Sequence, residues 1–309
     1  MKNKRILVVL GGTSNERAVS LDSGKACIKA LKKKGYKVST FDPQKKHFNL
    51  IDKNKTDIIF NALHGKDGED GIAQSYFEYL RIPYTHSGVV SSYNAMNKLI
   101  SKKIFKENNI KSPNYFVLEK KEFNKIKLNT LIKVKKIKFP IVVKPINEGS
   151  SIGVKICKDL LNLYRNTKLL FKNYSELMFE PFIGGQEIQV AIINNFSLGA
   201  IELKPKREFY DYKAKYSKAA ETKHIMPANL NKTRYEEVLN IAKKAHNAMG
   251  CKGITRSDFK FFKNTFYILE INTQPGMTNL SLVPEIAEYR GISFENLVEK
   301  ILLNASLDR

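Results

Sequence analysis

The first third of the chain alternates between short apolar runs and longer segments that carry apolar residues at helical spacing. The apolar run at residues 5–10 predicts a buried strand, and residues 17–31 predict a helix with Ser14 as its N-cap. Further strands are expected at residues 36–41 and 57–62. This β-α-β order predicts an open parallel sheet for the first part of the chain.

After residue 97 the pattern predicts short strands separated by charged segments, with an amphipathic helix at residues 233–249 that ends at Gly250. The strands expected in this part are residues 116–118, 139–145, 177–180, 187–193 and 201–203. Two more β-rich runs, 254–262 and 265–271, are separated by two turn-forming residues and predict a hairpin.

The predicted hairpin brings four polar side chains together. Folding about Asn264 pairs Asp258 with Glu270. The same register pairs Arg256 with Asn272. Because side chains alternate between the two faces of a strand, these four residues share one face. The apolar residues expected on the opposite face are Phe259, Phe261, Leu269 and Ile271.

The facing carboxylates of Asp258 and Glu270 have two interpretations. Like charges directly opposite each other destabilise a sheet, and a divalent cation between them would remove that repulsion. Carboxylate and amide oxygens suit Mg²⁺ or Mn²⁺. The alternative is an acidic pair on a solvated sheet face, so this spacing by itself leaves a metal site and a surface pair open.

Several loops follow predicted strands and have the composition of ligand-binding segments. Residues 11–12 are two glycines at the carboxyl end of the first strand, where ligands lie in open parallel sheets. Residues 64–71 contain three glycines and form either a ligand-contacting loop or an acidic surface loop. Residues 146–154 are able to fold N–H groups and hydroxyls over a phosphate, although they lack the Walker A pattern. The polar segment 204–224 is expected to be an active-site lid or a surface loop.

Three carboxylates at predicted element ends also have two interpretations. Glu180 ends one predicted strand, and Glu187 begins the next. These two strands and their linker either hold a nucleotide or form an ordinary hairpin. Glu16 falls in the first turn of the first helix, where a carboxylate often does no more than pair with the helix dipole.

The formal net charge of +23 raises the question of nucleic-acid binding. Only nine of the 53 basic residues are arginines, and the lysines are spread through predicted helices and loops without an aromatic-interleaved stripe. We therefore interpret the charge as a lysine-rich solvated surface and expect no nucleic-acid partner. A positive field would still help to gather an anionic nucleotide.

Cysteine content and the N-terminus indicate where the protein works. The three cysteines, Cys27, Cys157 and Cys251, are scattered without metal-binding spacing, which is typical of a reducing compartment. The apolar run near the N-terminus is too short for a signal peptide, and no run approaches the length of a membrane span. We expect a cytoplasmic protein with no membrane partner.

Seven segments, in this order and spacing, make the chain resemble the ATP-grasp superfamily and, within it, the D-alanine–D-alanine ligases. They are GGTSNERAVS (11–20), ALHGKDGEDG (62–71), PYTHSG (83–88), VVKPINEGSSIGV (142–154), YDYKAKY (210–216), GCKGITRSDF (250–259) and EINTQPGMTNLSLVP (270–284). The resemblance implies an α/β fold, α+β in its ATP-grasp part. A Rossmann-like domain at residues 1–96 would precede two ATP-grasp subdomains, 97–180 and 181–309, which clamp ATP.

The resemblance also implies a reaction in two steps that links two D-alanines for peptidoglycan synthesis. The carboxylate of the first D-alanine attacks the γ-phosphate of ATP and becomes an acyl phosphate. The amine of the second D-alanine then attacks the acyl carbon, and phosphate leaves. The same resemblance implies a homodimer. A ligase of the same superfamily that uses a different amino substrate is the alternative.

Roles follow from the resemblance at each matching position. The residues implied to contact ATP are Lys98, Lys144, Ser151, Glu180, Ile183, Glu187 and Lys215. The residues implied to hold two Mg²⁺ or Mn²⁺ ions are Asp258, Glu270 and Asn272. The residues implied to bind the two D-alanines are Glu16, His64, Arg256, Gly276 and Ser281. The residues implied to act in catalysis are Glu16, Ser150, Tyr216, Arg256 and Ser281.

Two positions depart from the pattern that the resemblance predicts. Gln274 occupies a place where a small residue is expected, and Pro181 stands where a lysine near the adenine is expected. We expect both to alter packing or nucleotide affinity only. Tyr216 matches the pattern that accompanies dipeptide formation, which favours D-alanine as the second substrate.

Overall fold

The structure, a computed structural model, describes residues 3–205, 222–278 and 280–307, and within them the strands form three sheets. The first sheet is parallel, with strand order β2-β1-β3. Its strands are β1 (Arg5–Val9), β2 (Lys37–Phe41) and β3 (Ile58–Asn61). The helices of this part are α1 (Arg17–Lys33), α2 (Ile72–Leu80) and α3 (Val89–Met96). The open parallel sheet predicted from the β-α-β pattern is confirmed.

The second sheet is antiparallel, with order β4-β7-β5-β6. Its strands are β4 (Phe116–Glu119), β5 (Ile141–Pro145), β6 (Lys155–Cys157) and β7 (Glu176–Pro181). The accompanying helices are α4 (Lys98–Glu107), α5 (Lys125–Val134) and α6 (Leu160–Leu170). Helix α4 begins where it does because the Asn97 side chain accepts hydrogen bonds from the N–H groups of Leu99 and Ile100 at 3.0 and 3.1 Å.

The third sheet has order β10-β9-β8-β11-β12, and its pairs are antiparallel. Its strands are β8 (Gln186–Ile193), β9 (Phe196–Lys204), β10 (Lys223–Ile225), β11 (Ile254–Phe262) and β12 (Thr265–Asn272). The helices of this part are α7 (Lys232–Ala248), α8 (Leu282–Tyr289) and α9 (Phe294–Leu303). In the described residues, no helix combines the length and the apolar character needed to cross a bilayer.

The end of the chain packs against its beginning. Leu31 of α1 shares a buried apolar cluster with Leu297 and Val298 of α9. At the rim of this contact Lys34 pairs with Glu299 at 2.9 Å. The last helix therefore helps to hold the first domain against the third sheet, whereas the domain limits at 96/97 and 180/181 stay a prediction.

The β11–β12 hairpin has the predicted register at its polar end, with Asp258 opposite Glu270. Nearer the turn the register shifts by one residue, because the tight turn pairs Phe262 with Thr265 and a β-bulge follows Asp258. One expectation was wrong for this reason. Leu269 does not lie on the apolar face, because the bulge turns it into the cleft that Glu270 also lines.

The N-terminus of α1 also differs from the expectation. Ser14 is not the N-cap residue, because the helix begins at Arg17. Its hydroxyl accepts the Glu16 N–H at 3.2 Å and donates a hydrogen bond of 2.6 Å to the carbonyl oxygen of His64. Glu16 occupies the N-cap position without a capping bond from its side chain. The consequence is that Ser14 ties the loop after β1 to the loop after β3.

Candidate active site

A cleft between the second and third sheets gathers the residues expected to contact a nucleotide. Its volume is about 760 Å³, part of which is open to solvent. The predicted site residues that line it are Lys98, Lys144, Ser151, Glu180, Ile183, Glu187, Asp258 and Glu270. Lys215 and Tyr216 lie outside the described residues.

Glu180 lines this cleft and is buried between two lysines. Lys144 forms an ion pair with one carboxylate oxygen, and Lys102 approaches the other at 3.0 Å. Burial by itself raises the pKa of Glu180, but the two ammonium groups outweigh burial and lower the pKa to about 2. Glu180 is therefore ionised at neutral pH.

Lys102 is a functional candidate that the sequence reasoning missed. Its ammonium also donates a hydrogen bond of 2.9 Å to the carbonyl oxygen of Pro113, and burial lowers its pKa. Its position one helical turn after Lys98 was the available signal, because residues four apart share a helix face.

The opposite wall of the cleft carries a second ion pair. Lys260 of β11 lies opposite Glu187 of β8, and their charged groups are 2.9 Å apart. Lys260 follows Asp258 by two residues, so strand periodicity places both on the same face. That spacing could have identified Lys260 from the sequence.

A second cleft adjoins the first, and Lys98 and Glu270 line both. The other predicted site residues that line it are Ser150, Arg256 and Asn272. It brings the flap formed by residues 146–154 close to the polar end of the hairpin.

Arg256 and Asp258 form a two-pronged ion pair on the hairpin face. The guanidinium atoms Nε and Nη2 contact Oδ1 and Oδ2 of Asp258 at 2.7 and 2.9 Å. The Asn272 side-chain oxygen accepts the Gln274 N–H at 2.8 Å, which leaves that oxygen one more lone pair. Two facing carboxylates and an amide oxygen fit a hard divalent cation. Within the described part of the chain no group of three His, Cys, Asp or Glu residues forms a metal site, so water or phosphate oxygens would complete the ligand set.

Glu16 and Ser150 meet although they are 134 residues apart. The Ser150 hydroxyl donates a hydrogen bond to the Glu16 carboxylate, which is buried. Ser150 and Ser151 both have positive φ, at 49° and 61°, so the flap bends through a left-handed conformation here. The contact ties the flap to the first domain.

His64 is buried behind this contact. Its Nε2 lies 3.2 Å from the Ser23 hydroxyl, and its Nδ1 lies 4.0 Å from the Glu69 carboxylate. Burial lowers the pKa of His64 to about 4, so the ring is neutral at pH 7. Burial raises the pKa of Glu69 well above its ordinary value, and the nearby Glu16 raises it further. Glu69 lines the second cleft and was missed as a candidate, although it stands in the motif at residues 62–71.

Gly276 and Ser281 lie together in the loop after β12. A Cβ added to Gly276 would lie 2.8 Å from the Ser281 hydroxyl oxygen, so a side chain at this position would displace that hydroxyl. The Ser281 hydroxyl accepts the Thr278 N–H at 2.9 Å. Neither residue is among those that line the two clefts.

Asp42 holds the loop after β1 in place. It pairs with Arg17 at 2.7 Å and accepts the Gly12 N–H at 3.1 Å. The Arg17 hydrogen bond lowers the pKa of Asp42 to about 2. A lowered carboxylate pKa stabilises the folded state above the unfolded pKa near 4, and this stabilisation is lost as the pH falls toward 2.

We therefore expect a different pH dependence of stability for Asp42→Asn. Between pH 5 and pH 2 the free energy of unfolding of the wild type should fall by roughly 1–2 kcal/mol more than that of the variant. Urea unfolding at four pH values measures both. Parallel pH profiles would contradict a stabilising role for the Asp42 charge.

This chain is similar to known proteins along nearly all of its length. The family model described as "D-ala D-ala ligase C-terminus" matches residues 104–303. The D-alanine–D-alanine ligase of Pelagibacter ubique (strain HTCC1062) is 56% identical over 306 residues, which cover 99% of each protein.

Solved structures show the same similarity. A crystal structure of D-alanine–D-alanine ligase from Bacillus anthracis matches with a TM-score of 0.83 and 35% identity over 97% of each chain. The structure of that ligase complexed with ATP matches with a TM-score of 0.82 and 32% identity over 97% of each chain. These matches confirm the predicted α/β fold with an ATP-grasp part. The chain belongs to the D-alanine–D-alanine ligase family.

Proposed function

We propose that the protein joins two D-alanines into D-alanyl-D-alanine at the expense of ATP, releasing ADP and phosphate, for peptidoglycan precursor synthesis. The reaction passes through a D-alanyl phosphate. The observation that carries the proposal is that Lys98, Lys144, Asp258 and Glu270 line one cleft. The identity of the substrate rests on the full-length relatives that bear this activity in their names.

ATP fits the cleft in one orientation on chemical grounds. Glu180 and the Ile183 main chain would contact adenine, and Glu187 would accept hydrogen bonds from the ribose hydroxyls. The phosphates would then lie beside Lys98 and Lys144, whose ammonium groups act as point charges. Lys144 also pairs with Glu180, so it would stand between the adenine and the phosphates. Lys98, Lys144, Ser151 and, outside the described residues, Lys215 are the proposed phosphate contacts.

Two Mg²⁺ or Mn²⁺ ions would be held by Asp258, Glu270 and Asn272. When bound, such ions neutralise the oxygens of the transferring phosphoryl group. The three side chains present four carboxylate oxygens and one amide oxygen on the hairpin face. Arg256 donates one hydrogen bond to each Asp258 oxygen, so each of these oxygens keeps a further lone pair for an ion.

The two D-alanines would bind around the second cleft. Glu16, buried and hydrogen-bonded to Ser150, would receive the ammonium of the first D-alanine, with His64 nearby. Arg256 and the Gly276 N–H would stabilise the oxyanion of the tetrahedral intermediate. Ser281 would bind the carboxylate of the second D-alanine, and Tyr216 would complete the group with Glu16 and Ser150 when the lid closes.

A coupled ADP-release assay tests the function. We expect ADP release that requires D-alanine, with one dipeptide formed per ADP by mass spectrometry. Reactions with L-alanine and with D-serine in place of D-alanine are the controls. Equal stimulation by either amino acid would reject D-alanine as the substrate, and absence of D-alanine-dependent ADP release would reject the ligase.

A homodimer in the cytoplasm is part of the same proposal. It is supported by the family resemblance and by the three buried free cysteines, which suit a reducing compartment. Light scattering during size-exclusion chromatography should give twice the mass of one chain. The mass of a single chain would contradict the dimer.

Lys102→Met is expected to weaken ATP binding selectively. Without Lys102 the buried Glu180 keeps only one ammonium partner, so its position and charge at the adenine end are less well fixed. We expect the KM for ATP to rise by about tenfold, the size of one charged hydrogen bond, while the KM for D-alanine stays within about twofold. Lys103→Met, which changes an exposed lysine of the same helix, is the control. Equal ATP KM values for the two variants would contradict this role.

A further inference from the structure

Gln274 lies buried where the loop after β3 meets the end of β12, with 1% of its surface exposed. Its side-chain oxygen accepts a hydrogen bond of 2.8 Å from the Asn61 amide. Its side-chain nitrogen donates to the Leu63 carbonyl oxygen. The Gln274 carboxamide thus both donates and accepts a hydrogen bond, with partners at the end of β3 and in the loop that follows.

The main chain of Gln274 reaches two predicted site residues. Its N–H donates to the Asn272 side-chain oxygen at 2.8 Å. Its backbone also hydrogen-bonds the His64 ring. Gln274 therefore contacts a proposed metal ligand on one side and a proposed first-substrate residue on the other.

The loop at residues 63–71 has a second buried anchor of a different kind. The Gln74 side chain of α2 donates to the Gly68 carbonyl oxygen at 3.0 Å, and Asn61 donates to the same oxygen at 3.0 Å. Gln74 thus holds the loop within the first domain, whereas Gln274 links it to the hairpin of the third sheet. A small residue, which the resemblance predicts at position 274, would reach neither Asn61 nor Leu63.

We propose that Gln274 is a positioning residue that couples the first-substrate loop to the phosphoryl-transfer hairpin. Its carboxamide sets the separation between His64 and Asn272, and hence between the first D-alanine and the γ-phosphate. A nucleophile displaced by about 1 Å from its attack position loses about 100-fold in rate, so this separation bears directly on the first chemical step. The substrate part of this inference rests on the proposed function.

Gln274→Met tests the coupling, because methionine fills a similar volume without a hydrogen bond to Leu63 or Asn61. Gln74→Met is the matched control, since it removes a buried carboxamide of α2 that binds the same loop but leaves the link to the hairpin. Hydrogen exchange by mass spectrometry reports the coupling without reference to any substrate. We expect Gln274→Met to speed exchange both in residues 61–68 and in residues 268–276, and Gln74→Met to do so in the loop only.

Kinetics add a second readout. For Gln274→Met we expect the KM of the first D-alanine to rise about fivefold and kcat to fall, while the KM of ATP stays within about twofold. A fivefold effect is about a twentieth of the 100-fold rate loss that a 1 Å displacement of the nucleophile causes. Gln74→Met should leave all three values within about twofold. Identical exchange patterns and kinetic changes in the two variants would overturn the coupling.

Three further cases separate a failure of the coupling from a failure to fold or a failure of the proposed function. If Gln274→Met does not fold, Gln274→Ser carries the same expectations, because serine leaves the backbone unconstrained and removes both side-chain bonds. If the two variants show the expected exchange patterns but the wild type does not ligate D-alanine, the proposed function fails and the coupling stands. If ligation occurs but exchange in the hairpin is unchanged by either position-274 variant, the coupling fails and the function stands.

Discussion

Glu270→Gln is expected to abolish turnover, with a loss of kcat of about 10³-fold or more. Glu270 lines both clefts and faces Asp258 across the β11–β12 ladder. Glutamine has the same size, so the hairpin keeps its packing. The change removes one of two facing negative charges, and with it much of the electrostatic attraction for the proposed divalent ion.

The measurement is steady-state ligation at saturating ATP and D-alanine, together with Mn²⁺ affinity measured by electron paramagnetic resonance in the presence of ADP. Both kcat and Mn²⁺ affinity should fall together. Glu299→Gln is the control, because Glu299 accepts a hydrogen bond of 3.0 Å from the Tyr36 hydroxyl in the contact between α1 and α9, far from the clefts. Near-normal activity of Glu270→Gln in Mg²⁺ would reject the metal assignment.

Arg256→Met is expected to lower kcat by about 10²–10³-fold, the usual cost of removing one oxyanion donor. Arg256 lines the second cleft beside Ser150 and Glu270. In the proposed second step, its guanidinium faces the oxygen that becomes negative when the amine attacks the acyl phosphate. Arg256→Lys keeps the charge but not the two-pronged geometry, so it should recover only part of the loss.

The two hairpin variants should differ in which step they slow. With enzyme in excess, Arg256→Met should still release a first equivalent of ADP, because acyl phosphate formation does not use the oxyanion donor. Glu270→Gln should lose this first turnover as well. Rapid-quench measurement of ADP and dipeptide separates the two cases.

The control for Arg256 is Arg5→Met, which removes a comparable two-pronged pair at the start of the chain. Arg5 contacts Asp57 through Nε at 3.1 Å and Nη2 at 2.9 Å. It should leave dipeptide formation unchanged. If Arg256→Met slows ADP release as much as dipeptide formation, Arg256 serves the first step through Asp258 instead.

Much of the hairpin was predictable because strand geometry is local. Alternation of side chains and a short turn are enough to put Asp258 opposite Glu270 and Arg256 opposite Asn272. The bulge after Asp258 was not predictable, since the register near the turn depends on how Phe259, Phe266 and Ile268 pack in the buried cluster that they share with α7. The sequence therefore placed Leu269 on the wrong face of the hairpin.

Ion pairs between distant segments depended on the fold. Lys102 comes near Glu180 only because α4 packs beside the second sheet, and no local pattern relates residues 78 positions apart. The Glu16–Ser150 contact depends in the same way on the flap reaching the first domain. The motifs identified some of these residues, but not which atoms meet.

By itself, the sequence determined the parallel sheet of the first domain, the facing carboxylates of the hairpin and the family resemblance. These depend on residue spacing within single elements or on the order of short motifs along the chain. Only the tertiary structure decided that Gln274 is a buried link and not a minor packing change. Its partners, Asn61 and Leu63, lie more than 200 positions away. A buried carboxamide needs hydrogen-bond partners. Which groups become its partners is determined only when the separate elements pack together.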